Sequence, residues 1–363
     1  MFTPYVPELQ LTRALERNEA FWRGELEGGP LMWITCAPEG PAPTLPTVTP
    51  LERWTNVDYV VAAAEADLSR RAYLGDTLPV HIINLGPDIF SAWLGAEMTI
   101  SPEHNTTWVK PFVEEWSEHG ELTIDPTGKW WRLYCELTQA SAEAGRGKWV
   151  TTYPDMHSGI DALSAIRGPE NLSMDLLTEP EAIGRAMGQM TELWRWVMAE
   201  MDRIILPAGQ GTANWAPGWS AGRFSVIGQN DYSCMISPKL FRAFCAADNE
   251  TVIAESDCTL YHWDGPQALV HEETILGWRG LTSVQWVPGA GNPPHSQWID
   301  LMRRIQAAGK PVQCMLMAGN EMEEIEILTR ELDPDRLMIH AWAPTRAAGE
   351  ALLQCAQRAA AKR

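Results

Sequence analysis

The sequence predicts an α/β protein, a single (β/α)8 TIM barrel with an N-terminal helical extension. Eight short apolar runs recur along the 363 residues, each bounded by Gly, Pro or polar turn residues, the pattern of strands buried on both faces. Helical spacing and helix caps fall between them, and strand–helix alternation implies a parallel sheet with crossover helices. No linker, low-complexity tract or solenoid repeat divides the chain, so residues 1–363 read as one domain with 1–29 as the extension. An open doubly wound sheet is the alternative.

The expected strands are 31–37 (LMWITCA), 79–84 (PVHIIN), 148–153 (KWVTTY), 224–229 (FSVIGQ), 258–262 (CTLYH), 282–287 (TSVQWV), 311–317 (PVQCMLM) and 336–342 (RLMIHAW). Ser237-Pro238 reads as a hydroxyl cap ahead of a first-turn proline. Residues 297–308 put Trp298, Leu301, Met302 and Ile305 on one helical face, and Gly309 stops the helix. Asn320 with Glu323 reads as a capping pair, and Thr345 as the cap of a last helix with Leu352, Leu353 and Ala356 inward.

Composition narrows the function classes. The 28 Lys+Arg against 47 Asp+Glu give a net charge of −19, which argues against nucleic acid or an anionic membrane as partner. No apolar stretch reaches membrane-helix length, and the first residues carry charges without an apolar signal core, so a cytoplasmic protein is expected. Seven scattered cysteines without a CxxC pair read as free thiols. The 18 tryptophans offer flat faces suited to planar or sugar-like ligands, or simply fill the core. Neither a dinucleotide fingerprint, a P-loop nor a nucleophile elbow occurs.

In a barrel, reactive side chains lie at the C-terminal ends of the strands. Those ends carry Cys36, Asn84, Asp88, Asp155, His157, Asp231, Tyr232, His262, Asp264, Trp286, Cys314 and His340. His262 and Asp264, two apart in LYHWDGP, share one side of their strand. With His340 from the last strand they form a candidate site for zinc or another divalent metal. The same pair without metal would orient a loop. Asp231 is a candidate general base or turn cap, and Asp155 with His157 a candidate acid/base pair or loop contact. Trp215, Trp219, Tyr232, Trp263, Trp286 and Trp342 are the candidate substrate-binding residues. Cys314 is either a further thiolate ligand or a buried small hydrophobe. His81 reads as a core histidine, and His104, His119, His271 and His295 as solvated.

The blocks LYHWDGP, SVQWVPGAGNP, GQNDYSCMISPKLFRAF and LMIHAWAPTRAAGEALL resemble the uroporphyrinogen decarboxylase superfamily, which includes the methylcobamide:coenzyme M methyltransferases. The resemblance runs from about residue 30 to the end of the chain and implies a barrel with its cleft at the C-terminal mouth. The decarboxylase branch carries an arginine-rich segment after its first strand; WITCAPEGPAPT holds no arginine, so a porphyrinogen carboxylate clamp is not expected. The methyltransferase branch carries H-x-C-G, which here is His262-Trp263-Asp264-Gly265, and a late cysteine, replaced by His340 four residues before Pro344. The resemblance thus implies a metal site with N/O in place of thiolate ligands.

The expected function is a zinc-dependent, methyltransferase-like enzyme acting on a small organic substrate, with corrinoid supplied only by a partner protein and the chain paired as a homodimer. Metal-assisted hydrolysis or lyase chemistry on a sugar-like or aromatic ligand is the alternative. A cofactor-free decarboxylase comes next, and a non-catalytic ligand-binding barrel last.

Overall fold

The computed structural model describes residues 5–104, 106–227, 230–317 and 319–362. Among them the strands are Leu31–Cys36 (β1), Tyr73–Gly75 (β2), Val80–His81 (β3), Glu97–Ser101 (β4), Thr106–Lys110 (β5), Val150–Thr151 (β6), Thr212–Ala213 (β7), Trp219–Ser220 (β8), Phe224–Ile227 (β9), Cys258–Asp264 (β10), Ser283–Val287 (β11), Val312–Leu316 (β12) and Leu337–Ala343 (β13). Each of the eight expected runs carries one of them. The end of the fourth run, residues 228–229, lies outside the described residues.

The main sheet runs in the order β2-β1-β13-β12-β11-β10-β9. All its neighbours are parallel except β2, which lies antiparallel on β1. The first long strand thus pairs with the last, Leu31 opposite Met338, as in a wall that curls back on itself. A separate parallel pair, β3 and β6, continues the layer. Isolated hydrogen bonds bridge the gaps: Tyr153 N–H donates to the Ala213 carbonyl (3.1 Å), and Ile34 N–H to the Thr77 hydroxyl (2.6 Å). The architecture is a barrel-like α/β fold, and among the described residues its ladders do not close into one continuous cylinder.

Two hairpins, β4–β5 and β7–β8, and the antiparallel β2 lie outside the expected eight-unit plan. Their strands are short or half exposed, so they lack the continuous apolar runs that mark buried strands.

Strand alternation sorts the core into two layers. Leu31, Trp33, Phe224, Cys258, Leu260 and Met338 meet on the concave side. Met32, Ile34, Tyr261, Trp263, Val284, Trp286, Val312 and Cys314 face outward beneath the helices. The closing helix, Arg346–Ala360, is capped by Thr345, whose hydroxyl accepts from Ala348 N–H. Its Gly349 lies so close to the sheet that a Cβ there would stand 2.7 Å from Leu74 Cδ1 and 2.8 Å from Cys36 Sγ. Ser237 caps Pro238–Phe244 through Leu240 N–H as expected. Asn320 makes no side-chain cap, so that expectation is corrected. Trp298 ends a 3-10 turn, and the helix that follows, Ile299–Ala307, buries Leu301, Met302 and Ile305.

The N-terminal helix, Glu8–Trp22, is fixed by polar contacts. Arg17 Nε meets Asp76 Oδ1 at 2.9 Å, with both side chains mostly buried, and its Nη2 reaches the Gly29 and Pro30 carbonyls. Asp76 Oδ2 accepts from Met32 N–H (2.9 Å), so the pair ties the helix to β1. At the helix end, Trp22 Nε1 donates to the Trp219 carbonyl (2.7 Å), and Glu19 accepts from Ala221 N–H. Among the described residues no helix is long and apolar enough to cross a membrane.

Asp248, buried on the helix Ala246–Ala254, has the Thr191 hydroxyl at 2.6 Å. Burial pushes its carboxyl up to about 6, against the pull of the Thr191 bond.

Two predictions follow from these buried carboxylates. Arg17→Ala leaves Asp76 without its cation and should cost about 3 kcal/mol in denaturant unfolding; a loss no larger than that of an exposed arginine would contradict the tie. Because the folded-state pKa of Asp248 is raised, its stabilisation is present below the ordinary carboxylate range and is lost as pH rises through about 6. Asp248→Asn should therefore flatten the fall in Tm across that interval, read by circular dichroism melts at stepped pH.

Candidate active site

The strand ends turn sharply where side chains must be presented. After β10 the chain reverses at Gly265, whose φ of 78° suits glycine, and Asp264 is left at the rim. His262 and Asp264 are inward and partly exposed, whereas Tyr261 and Trp263, which alternate with them, are buried on the outer face. After β9 a 3-10 turn, Asp231–Met235, brings Asp231 to the same rim. One ligand atom each from Asp231, His262 and Asp264 lie within 4.8 Å of one another.

A second group shares Asp231. His157, Asp161 and Asp231 also converge within 4.8 Å. Asp161 lies in the first turn of the helix Gly159–Arg167, and its two oxygens accept from Asp231 N–H (3.0 Å) and Tyr232 N–H (2.9 Å). That bidentate contact fastens the Asp231 turn to the neighbouring helix. His157 Nδ1 lies 3.7 Å from Asp161 Oδ2. Asp88, after β3, flanks His157 and lines a cleft of about 440 Å³ together with Asp161, Asp231 and Tyr232.

Crowded carboxylates resist ionisation. Burial pushes Asp161 up to about 7, with His157 opposing and Asp231 adding to the rise. Asp264 is raised by burial and by Asp231 against the pull of His262. Asp88 is raised by burial, with His157 opposing. The Cys234 thiol, exposed in the same turn, is raised by burial of the site and by Asp231, Asp161 and Asp264.

The donor set fits a divalent cation. One imidazole and two carboxylates are the hard N/O ligands that zinc and other first-row cations accept. Asp264 Oδ1 is buried with no hydrogen-bond partner, an acceptor waiting for positive charge.

The expected site residues are placed unequally. His262 and Asp264 come together as predicted, and Asp231, expected as a general base, stands with them. His340, expected as third ligand, is not in either convergent group. It sits in β13 between Trp33 and Met315 with Nδ1 buried and unpartnered, and burial pushes its ring down to about 4. His157 pairs with Asp161, four residues on, and the charge of Asp155 is felt at buried Tyr134.

Of the aromatic residues, Trp215 stands edge-to-face with His262 at 5.1 Å, Tyr232 lines the cleft with its hydroxyl 2.6 Å from Ser173 Oγ, and Trp342 is exposed at the end of β13. Trp263 and Trp286 pack on each other beneath the helices. Trp219 is buried, donating to the Gln210 carbonyl. These three are corrected from ligand lining to core, because period-2 alternation turns Trp263 away from His262 and Asp264. Cys314 also faces outward, fully buried against Met302 Sδ with its thiol pushed far up by burial, and is not a ligand. His81 is a core histidine bonded to Ser141, its ring pushed down to about 4 by burial. His271 and His295, expected in solvent, are buried on the Ser233 and Trp286 carbonyls.

Asp161 escaped sequence reading, although its signal was the i,i+4 spacing from His157 at a helix start. Asp161→Ala should release the N–H groups of residues 231 and 232, costing about 2 kcal/mol. Amide exchange should quicken at those two positions while β10 and β11 keep their protection; unchanged exchange there would refute the fastening role.

No family model matches the chain, and no curated protein matches it in sequence. Among solved structures, a methyltransferase from Methanosarcina mazei matches with a TM-score of 0.60 at 10% identity, covering 96% of this chain and 98% of that one. What the chain shares with that methyltransferase is its fold.

Proposed function

We propose that the protein is a divalent-cation-dependent enzyme of the methyltransferase-like barrel type, transferring a methyl group between a small organic substrate and a corrinoid carried by a partner protein. The observation that carries the reading is the convergence of Asp231, His262 and Asp264 within 4.8 Å at the strand ends. The reading takes β3 and β6 as completing an eight-unit wall, so that this cluster sits at the C-terminal mouth.

Asp231, His262 and Asp264 hold the cation, preferably zinc. When bound, it supplies Lewis acidity, polarising a substrate oxygen or nitrogen and lowering its pKa. The remaining work belongs to the protein's own side chains. Asp161, its carboxyl raised by burial, and His157, 3.7 Å away, are the side chains placed to pass a proton beside the cation. The Asp161 contacts keep Asp231 aimed at the rim. Trp215 walls the cation side of the site, and Tyr232 walls the cleft that receives the substrate. A second reading, metal-assisted hydrolysis or lyase chemistry, is favoured by the donor set itself, since oxygen-rich ligands suit activation of water.

Elemental analysis of purified protein should find a stoichiometric divalent metal. His262→Ala, Asp264→Ala and Asp231→Ala should reduce it to background, while His340→Ala retains it. Methylated amines and methoxylated aromatics offered with free cob(I)alamin should yield methylcobalamin by absorbance, abolished by the same three substitutions. Metal-free protein, or metal retained in all three variants, would defeat the cation reading. Product formation without corrinoid methylation would select hydrolysis or lyase chemistry.

A further inference from the structure

The concave face of the sheet carries two glutamines where apolar residues are the rule. Gln285 in β11 and Gln313 in β12 are fully buried and stand opposite each other, and His262 stands opposite Gln285. The three side chains form one line. Gln313 Nε2 donates to the Pro217 carbonyl (2.5 Å), Gln285 Nε2 donates to Gln313 Oε1 (2.6 Å), and Gln285 Oε1 meets His262 Nδ1.

The direction of this line is fixed at its far end. The Pro217 carbonyl only accepts, so the nitrogen of the Gln313 amide must face it and the oxygen must face Gln285. Each amide nitrogen also meets a thioether sulfur, Met338 Sδ at 3.1 Å from Gln313 and Met315 Sδ at 3.0 Å from Gln285. Those sulfurs accept and never donate, so flipping either amide would set an oxygen against an acceptor. Gln285 must therefore present its oxygen to His262, and the nitrogen it meets must carry hydrogen. In a neutral imidazole the other nitrogen is then the lone pair.

We propose that Gln285 and Gln313 are positioning residues: anchored on the Pro217 carbonyl, they hold the His262 proton on Nδ1 and keep the Nε2 lone pair for a cation. This rests on the cation reading for its purpose, but the tautomer itself does not. Ligating imidazoles are commonly held this way through their second nitrogen, and loss of such a partner weakens metal binding.

The experiment uses full-length protein labelled with 15N-histidine, with His262 assigned from the signal missing in His262→Gln. Two-bond 1H–15N correlation at a pH where the ring is neutral should show His262 as the Nδ1–H tautomer. Gln285→Leu should lose that single tautomer and weaken zinc binding about 10-fold or more, by competition with a chromophoric chelator. An Nε2–H tautomer in the wild-type protein, or an unchanged tautomer in folded Gln285→Leu, would overturn the proposal. An Nδ1–H tautomer that depends on Gln285 in a protein without zinc affinity would uphold the chain while the cation reading fails.

Discussion

Parallel strands covered on both faces leave no water for the polar groups between them, so each buried polar side chain must find a partner inside the wall. That constraint shapes the concave face. Apolar residues fill its lower part through Leu31, Phe224, Cys258, Leu260 and Met338. Toward the rim, polarity enters as a connected series, from Pro217 through Gln313 and Gln285 to His262, beside the unpartnered Nδ1 of His340. A half-satisfied series would cost more than an apolar core. Order at the reactive end is therefore inherited from the packing beneath it.

The rim obeys a different rule. Asp88, Asp161, Asp231 and Asp264 gather there with two imidazoles, and burial raises the carboxyls of Asp88, Asp161 and Asp264. Repulsion among them is relieved by protons, by backbone N–H groups or by a cation. Asp161 shows the backbone solution, Asp264 Oδ1 is left without one. The site is thus electrostatically incomplete in one direction, toward positive charge.

The strands were legible because a strand covered on both faces reads as an unbroken apolar run, and all eight expected runs carry strands. The half-exposed hairpin β4–β5 was not, since its residues alternate with solvent and give no run, and the buried strands of β7–β8 are only two residues long. Within the site, H-x-D spacing puts His262 and Asp264 on one side of β10, and the structure brings them within 4.8 Å of each other. The third member could not be read from spacing, because Asp231 arrives from a turn fixed by Asp161, a contact spanning 70 residues. Trp263 and Trp286 were assigned to the mouth by their position along the chain, where strand alternation sends them to the helices. Gln285 and Gln313 were visible as amides inside apolar strands, but their meaning depends on register with His262.

The pairing of β1 with β13 joins Leu31 to Met338, and the N-terminal helix reaches across 197 residues to the Trp219 carbonyl. During synthesis, the helix and β1 can settle early on β2 and Asp76, but the other edge of β1 has no partner until nearly the whole chain has emerged. Assembly must then meet a large loop-closure cost before these contacts reward it, which favours slow maturation. Through that interval the β13-facing edge of β1 stays unpaired, the kind of open edge that invites aggregation.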